Sequence, residues 1–262
     1  MRISCACHWP RMTVLRPFLR GLAFLALTLP LIPVQQLLVW FAPLAARRLP
    51  HFYHKLVCRI LGVRVTIEGH KPKSPVLLVS NHVSWADIPV LSAALPVSFV
   101  AKAEVGRWPF FGTLARLQRS VFINRQRRHQ TAKSRDELSE RLGRAEAIVL
   151  FPEGTSHTGK AVLEFKSSYF GAVENSDIPV VPVVLAYHKL HGLPVTGRQR
   201  PSLAWYGDMD LLPHLWDFLK QGPVEVRVRF LEPLPKASRK VLARQAESRI
   251  RTGLVEMLHG RP

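Results

Sequence analysis

The feature that most constrains the fold is a run of apolar, β-favouring residues that ends abruptly in polar ones. Val76–Ser80 reads VLLVS, and an uninterrupted apolar run of this length is typical of a strand buried on both faces of a parallel sheet. Asn81 ends the run, His82 follows it, and Asp87 completes the segment. Because the ligand crevice of an open α/β sheet lies beyond the carboxyl ends of its strands, we expect His82 at the mouth of a crevice.

His82 and Asp87 have the spacing of a hydrogen-bonded acid–base pair. Residues at this separation do not share a helix face, so we expect His82 in a turn and Asp87 about one turn into the next helix. One carboxylate oxygen can then bond one ring nitrogen, fix the tautomer and leave the other nitrogen as a base. The pair has no serine or cysteine nucleophile of its own. The pattern therefore favours transfer of an activated group to a hydroxyl that arrives on a substrate.

Two further apolar runs end in cationic residues. Residues 98–101 are predicted to form a short strand with Lys102 at its end, where a lysine can neutralise a phosphate or a diphosphate. Residues 121–123 are predicted to form another strand that ends in Asn124 and Arg125. A guanidinium at a strand's carboxyl end can bind a phosphate or a carboxylate through two hydrogen bonds, so Arg125 is the leading candidate for anion recognition.

A third run, residues 147–151, is followed by Pro152, Glu153, Gly154 and Thr155 at the same predicted edge. The glycine lets the backbone approach a ligand closely. Glu153 can accept hydrogen bonds from substrate hydroxyls, or it can hold a basic neighbour in place. No second carboxylate or histidine stands at metal-ligand spacing from Glu153, so we predict no metal site.

The segment of residues 21–46 has no charged residue and is flanked by arginines on both sides. It is longer than the roughly 20 residues that cross a bilayer's hydrocarbon core. Pro30 and Pro33 are expected to interrupt it near the middle, so a bent helix pair dipping into one leaflet is as consistent with the pattern as a straight span. The sequence thus predicts three parts: a basic tail (1–20), a membrane-inserted segment (21–46) and a catalytic domain (47–262).

The overall charge calls for an anionic partner. Lys and Arg number 37 against 18 Asp and Glu, which gives a net charge of +19 and suits either nucleic acid or an acidic lipid surface. The uncharged segment favours lipid, and no basic run interleaved with aromatics supports a nucleic-acid-binding module. Cys5, Cys7 and Cys58 form neither a disulfide framework nor a metal-ligand set, which indicates a reducing compartment.

Four ordered blocks resemble the signatures of the glycerolipid acyltransferase superfamily, and two accessory blocks match as well. They are NHVSWAD (81–87), SVFINR (120–125), VLFPEGT (149–155) and IPVVPVV (178–184), with VAKAEVGRWPFFG (100–112) and FKSS (165–168). The resemblance implies an α/β fold, with a mostly parallel mixed sheet flanked by helices as in glycerol-3-phosphate acyltransferase. It also implies that His82 is the general base, that Asp87 orients it and that Lys166 supports the acceptor site.

The same resemblance implies the substrates. The donor is expected to be an acyl thioester of acyl carrier protein or coenzyme A, with no other cofactor. The acceptor ranked first is 1-acyl-sn-glycerol 3-phosphate, which gives phosphatidic acid in phospholipid biosynthesis. Ser156 stands where phosphate-acylating members usually carry an arginine, and with Asn124 and FKSS it also resembles members that acylate lyso-ornithine lipids. That zwitterionic acceptor ranks second, and a catalytically silent lipid carrier is a third possibility that the intact pair argues against.

Further expectations concern the cell and the sheet. We expect the enzyme on the cytoplasmic membrane, attracted by anionic lipids, with its active site facing the cytoplasm. Residues 63–67 alternate as in an edge strand, and Pro182 predicts an edge or a bulge for the strand that contains it. Backbone amides at the start of the helix after His82 are the candidate oxyanion donors.

Overall fold

The computed structural model describes residues 12–123 and 128–260 as an α/β protein built on one mixed sheet. The strands are β1 (Val63–Glu68), β2 (Val76–Ser80), β3 (Ser98–Lys102), β4 (Val121–Ile123), β5 (Ala147–Leu150), β6 (Val180–Leu190), β7 (Leu193–Pro194) and β8 (Val224–Phe230). The helices are α1 (Met12–Phe41), α2 (Pro43–Leu61), α3 (Asp87–Ala94), α4 (Phe111–Leu117), α5 (Arg128–Gly143), α6 (Leu211–Lys220) and α7 (Arg239–His259).

The sheet brings several strand ends to one edge. Its order is β1-β8-β6-β2-β5-β3-β4, with β7 paired to β6. The strands from β6 to β4 run parallel to one another, so their carboxyl ends meet at the edge where the chain continues into His82. β8 runs antiparallel to β6, and β1 lies parallel to β8 at the outer edge. The predicted mixed, mostly parallel sheet and the edge position of the first strand are confirmed.

The pattern of β2 follows from helices on both faces of the sheet. Val76 and Leu78 pack into the hydrophobic core under α2 and α3, whereas Leu77 and Val79 pack into a second core under α5 and α7. Every residue of β2 is buried. A strand covered on both faces gains from apolar side chains at every position, which is why VLLVS shows no alternation.

The position of β6 corrects one expectation. Pro182 predicted an edge or a bulge, but β6 lies between β8 and β2, and its irregularity comes later, between Tyr187 and Lys189. The antiparallel ladder with β8 begins only at Val183, and the Pro182 carbonyl accepts a hydrogen bond from Leu231 just past the end of β8. Pro182 thus lies before the first residue pair of the ladder with β8. Its lack of a backbone N–H therefore removes no hydrogen bond from that ladder.

Helix α1 corrects another expectation. Pro30 and Pro33 lie inside an uninterrupted helix, and the chain breaks instead at Ala42, after which Pro43 opens α2. Each internal proline removes one backbone donor, and the remaining hydrogen bonds carry the helix through it. A proline restricts the backbone of the residue before it, and Ala42 takes a non-helical conformation. Helix α2 then begins at Pro43, whose fixed φ angle suits the first turn of a helix.

The few polar side chains of α1 face the rest of the protein. Arg20 donates two hydrogen bonds of 2.9 Å to carbonyl oxygens at the end of α6. Thr28 and Tyr53 share a hydrogen bond of 2.9 Å between their hydroxyls, and Gln35 donates to the Leu117 carbonyl at 2.9 Å. The opposite face of α1 is a row of exposed leucines and phenylalanines. Within the described residues, α1 is the helix long and apolar enough to cross a membrane.

Candidate active site

The strand β2 delivers His82 to the sheet edge, and Asp87 is the first residue of α3. The Nδ1 atom of His82 lies 2.8 Å from Oδ2 of Asp87. Because a carboxylate only accepts, Nδ1 carries the proton and Nε2 keeps a free lone pair. Asp87 is fully buried, whereas 19% of the His82 side chain is exposed. The pair is therefore an acid–base dyad whose imidazole reaches the surface.

Asp87 is held by donors on both of its oxygens. Oδ2 also accepts the backbone N–H groups of Val83 at 2.6 Å and Ser84 at 3.0 Å. Oδ1 accepts the hydroxyl of Tyr187 at 2.7 Å. A buried charge is tolerable when it is hydrogen-bonded in this way. The amides of Val83 and Ser84, which precede α3, are therefore committed to Asp87, and the expectation that amides at the start of α3 stabilise an oxyanion stays a prediction.

Tyr187 is a site residue that the sequence pattern did not reveal. It lies on β6, and its ring is buried. Burial, followed by the charge of Asp87 and the hydrogen bond to it, raises the pKa of Tyr187 well above its ordinary value. Tyr187 thus stays protonated and donates at every physiological pH. The available signal was a hydroxyl-bearing side chain on the strand adjacent to β2, slightly beyond the end of β2.

The turn before the dyad is fixed by Asn81. Its side-chain carbonyl accepts the N–H of Leu185 at 2.9 Å, and its side-chain amide donates to the Leu185 carbonyl at 2.9 Å. The side chain therefore replaces a strand's backbone and continues the pairing of β2 with β6 for one more residue. This explains why the apolar run ends in an asparagine and why the following residue turns out of the sheet.

Glu153 lies directly beside His82 but faces the protein. Its Oε1 accepts the backbone N–H of His82 at 3.1 Å, and 3% of the residue is exposed. Its Oε2 lies 2.7 Å from Nε2 of His157, an ion-pair contact without hydrogen-bond alignment. Of the two roles expected for Glu153, the contacts show that of holding neighbours in place. Phe151 adds to this support, because its ring stacks on His82 with centroids 4.1 Å apart.

Of the remaining predicted substrate-binding residues, Lys102 ends β3, Gly154 and Thr155 follow β5, and Lys166 contacts the loop after β5. Gly154 adopts a left-handed conformation with φ of 74°, and Thr155 follows it at the surface. Lys166 is exposed, and its backbone N–H donates to the Pro152 carbonyl at 3.0 Å, next to Glu153. Lys102 is exposed at the carboxyl end of β3. Arg125 lies outside the described residues.

Ser156 has a structural partner. Its hydroxyl donates a hydrogen bond to the backbone carbonyl of Trp205. The N–H of Trp205 in turn donates to the carbonyl of Val83 at 3.0 Å. The two bonds tie the loop after β7 to the turn that carries His82. The position that resembles an arginine site in phosphate-acylating proteins is here occupied by a side chain committed to holding this loop.

The arrangement defines a class of chemistry. An imidazole oriented by a buried carboxylate, at a strand edge and without its own nucleophile, can deprotonate a substrate hydroxyl. Across residues 12–123 and 128–260, no three His, Cys, Asp or Glu side chains converge as a metal site would require. Such an arrangement is suited to transferring an activated group to an alcohol.

Comparison with known proteins identifies the group that is transferred. Residues 62–186 match the model of the Acyltransferase family. The lyso-ornithine lipid O-acyltransferase of Brucella abortus is 44% identical over 94% of this chain and 97% of its own length. The 1-acyl-sn-glycerol-3-phosphate acyltransferase of Neisseria meningitidis is 32% identical over 67% of each chain. This chain belongs to the acyltransferase family and has lysolipid O-acyltransferase activity.

A solved structure supports the fold. The crystal structure of the 1-acyl-sn-glycerophosphate acyltransferase PlsC from Thermotoga maritima superposes with a TM-score of 0.66 and covers 94% of this chain and 97% of that one. At 23% sequence identity the likeness concerns the architecture. The expected fold class, including the apolar N-terminal helix, is confirmed.

Proposed function

We propose that this enzyme is a lyso-ornithine lipid O-acyltransferase, which esterifies the free hydroxyl of the lysolipid with a fatty acyl group. The observation that carries the proposal is the near full-length similarity to the Brucella abortus enzyme of that name. The enzyme of the same name from Rhizobium meliloti is 40% identical over 94% of this chain. The engagement of Ser156 with Trp205 adds support, because the site offers no cation at that position.

The dyad accounts for the chemistry. The Nε2 atom of His82 takes the proton of the acceptor hydroxyl as its oxygen attacks the carbonyl carbon of an acyl thioester. The tetrahedral intermediate collapses, the carbon–sulfur bond breaks, and the imidazolium returns its proton to the departing thiolate. Asp87 stabilises the imidazolium between the two transfers, as in other carboxylate–histidine pairs. The donors proposed are acyl carrier protein and coenzyme A thioesters, both of them acidic partners that a net charge of +19 attracts.

A second candidate acceptor is 1-acyl-sn-glycerol 3-phosphate. The similarity to the Neisseria meningitidis enzyme favours it, although it covers less of the chain. Lys102, Lys166 and Arg125 would supply the positive charge for a phosphate. Their side chains suit a dianionic headgroup better than a zwitterionic one.

We also propose that the protein sits on the cytoplasmic membrane with the site facing the cytoplasm. The polar contacts of α1 from Arg20 to Gln35 hold the helix along the protein. This side-on packing favours a helix lying in one leaflet over one that leaves the domain to cross the bilayer. Attraction between the basic surface and anionic lipids adds to the attachment.

Competition between the two lysolipids tests the acceptor. Purified enzyme receives a labelled acyl thioester and equal amounts of lyso-ornithine lipid and 1-acylglycerol 3-phosphate, and the products are identified by mass. We expect kcat/KM to favour lyso-ornithine lipid by about tenfold or more. The phosphate headgroup would leave at least one hydrogen-bonding group of the acceptor site without its partner. A ratio in favour of the phosphate would make the second candidate the acceptor.

A further inference from the structure

An arginine that the sequence analysis did not single out lies close to the catalytic turn. Arg200 opens a short 3-10 helix, Arg200–Ser202, in the loop after β7, and it is half-buried. Its guanidinium donates one long hydrogen bond, of 3.3 Å, to the Gly159 carbonyl. No carboxylate in the described part of the chain pairs with it. Burial lowers the pKa of the Arg200 guanidinium.

The guanidinium lines a small cavity that starts one residue from the catalytic base. Val83, Thr158, Gly159 and Tyr187 also line this cavity, and the Tyr187 hydroxyl donates to Asp87. Gly159 has φ of 70°, and a Cβ atom there would lie 3.1 Å from a methyl group of Val83. A side chain at position 159 would therefore narrow the space beside the catalytic turn.

The loop that carries Arg200 is fixed relative to His82. The hydrogen bonds from Ser156 to Trp205 and from Trp205 to Val83 anchor the loop immediately after Arg200. Within the 3-10 turn, Leu203 and Ala204 both donate backbone hydrogen bonds to the Arg200 carbonyl. The backbone at Arg200 is thus fixed, and the guanidinium's own hydrogen bond to Gly159 restrains the side chain, so that less conformational freedom is lost when it binds an anion.

We propose that Arg200 binds the carboxylate of the acceptor's amino-acid headgroup and thereby selects that headgroup. The inference rests on the proposed function and adds the residue that recognises the acceptor headgroup. A planar carboxylate carries one negative charge and matches one guanidinium through two parallel hydrogen bonds. Among the described residues that line the cavity, Arg200 is the charged one, and the others offer apolar side chains, hydroxyls and backbone. A dianionic phosphate would require further cations there.

Two acceptors that differ by one charge test the assignment. Lyso-ornithine lipid is compared with its carboxamide analogue, in which the headgroup carboxylate becomes a neutral amide, in the same mixed micelles. With unmodified enzyme we expect kcat/KM to favour the carboxylate acceptor by about 10- to 100-fold, the worth of a charged hydrogen-bond pair. In Arg200→Gln that preference should disappear, through a higher KM for lyso-ornithine lipid and a change of less than about threefold for the carboxamide.

Two further variants make the result specific. Arg200→Lys keeps the charge but not the paired donors, and should retain part of the preference. Arg198→Gln removes an exposed arginine from the same loop and should leave both acceptors unaffected. Equal losses on both acceptors in Arg200→Gln, or an undiminished preference, would overturn the inference alone. If the unmodified enzyme acylates 1-acylglycerol 3-phosphate but not lyso-ornithine lipid, the acceptor of the proposed function is overturned first.

Discussion

At the scale of single residues, the site depends on how completely Asp87 is satisfied. Four donors converge on its carboxylate, from His82, Val83, Ser84 and Tyr187. Three of them come from the segment that also carries the aspartate, and the fourth comes from a strand about a hundred residues later. The carboxylate is thus oriented by the catalytic turn and by the sheet together, and its second oxygen is positioned by Tyr187.

The replacement Tyr187→Phe tests that positioning role. The ring stays in the core, but Oδ1 of Asp87 loses its donor, so we expect kcat to fall by about tenfold while KM stays within about twofold. The matched control is Tyr53→Phe, which removes a hydroxyl bonded to Thr28 between α1 and α2. The control should lower the melting temperature slightly and leave kcat unchanged. Equal kcat values for Tyr187→Phe and the unmodified enzyme would remove Tyr187 from the mechanism.

His54 gives a pH-dependent prediction for stability. Burial, assisted by the charge of His51 and opposed by a hydrogen bond with Pro50, lowers the pKa of His54 from 6.5 to about 3. Below pH 6.5, His54 is protonated in the unfolded chain but stays neutral in the folded protein. The free energy of unfolding therefore falls as the pH drops from 6.5 towards 3. Between pH 7 and pH 5 the loss should be about 1 to 2 kcal/mol.

Unfolding in detergent at pH 7 and pH 5 measures this effect. The variant His54→Gln should lose much less stability over that interval, because it has no group to protonate there. His70→Gln, which removes an exposed histidine after β1, should keep the slope of the unmodified protein. Parallel slopes for His54→Gln and the unmodified protein would contradict the role given to His54.

The sequence could predict those site residues that share one segment. His82 and Asp87 lie in the same turn, so their spacing alone placed them together, and the structure confirms the contact. Tyr187 and Arg200 reach the site through pairing of β6 with β2 and through the loop after β7. Those contacts are set by register and by tertiary packing, which no local pattern encodes. For the same reason Glu153 could be placed at the edge but not assigned its partners.

At the scale of elements, uninterrupted apolar runs predicted the strands correctly. A strand covered by helices on both faces of the sheet requires apolar side chains at every position. The limits of β2 and β4 follow the sequence pattern closely, and β6 continues to residue 190 because β8 pairs with it that far. The prediction that Pro30 and Pro33 interrupt α1 was wrong because each proline removes one backbone hydrogen bond. The other hydrogen bonds of a long helix are enough to keep it continuous. Ala42 marks the break because the following proline restricts it.

The junction of α2 and β1 depends on a glycine. Gly62 caps α2 with φ of 75°, and a Cβ atom there would lie 2.3 Å from Nη2 of Arg20. We expect Gly62→Ala to destabilise the protein by about 2 to 3 kcal/mol, since it adds backbone strain and displaces a guanidinium bonded to α6. Denaturant unfolding of the full chain measures the loss.

A double-mutant cycle separates the two contributions. In the Arg20→Ala background, Gly62→Ala should cost about 1 to 2 kcal/mol, because the backbone strain remains and the collision is gone. The difference between the two costs is the part due to Arg20. Identical costs in both backgrounds would show that Arg20 does not pack over the glycine as described.

At the scale of the whole molecule, aromatic contacts connect the apolar helix with the catalytic turn. Phe24 of α1 packs edge-to-face against Phe110, with ring centroids 6.3 Å apart. Trp108, in the same segment as Phe110, contacts Trp205 at 6.0 Å, and Trp205 is bonded to the residue after His82. A lipid acceptor at the surface along α1 would therefore approach the dyad past these rings.

Charges on the exposed face of α1 test the attachment. Leu22 and Leu29 are exposed on that face. A charge at the centre of a bilayer costs about 2.5 to 3.5 kcal/mol, which is an upper bound for a helix lying in one leaflet. Replacing both leucines by aspartate should therefore weaken insertion by at most about twice that amount, and high salt should then release much of the protein from vesicles. Leu193→Asp, on the hairpin formed by β6 and β7, should change nothing. A double variant that still requires detergent for release would place the anchor elsewhere.

The central claim is that His82, oriented by Asp87, is the base in acyl transfer to a lysolipid. The most direct measurement is the rate at which the purified full chain moves a labelled acyl group from its thioester to lyso-ornithine lipid, for the unmodified enzyme, His82→Gln and Asp87→Asn. We predict losses of kcat of about a thousandfold or more for His82→Gln and several hundredfold for Asp87→Asn, with unchanged melting temperature for His82→Gln. Near-normal turnover in either variant would contradict the dyad mechanism.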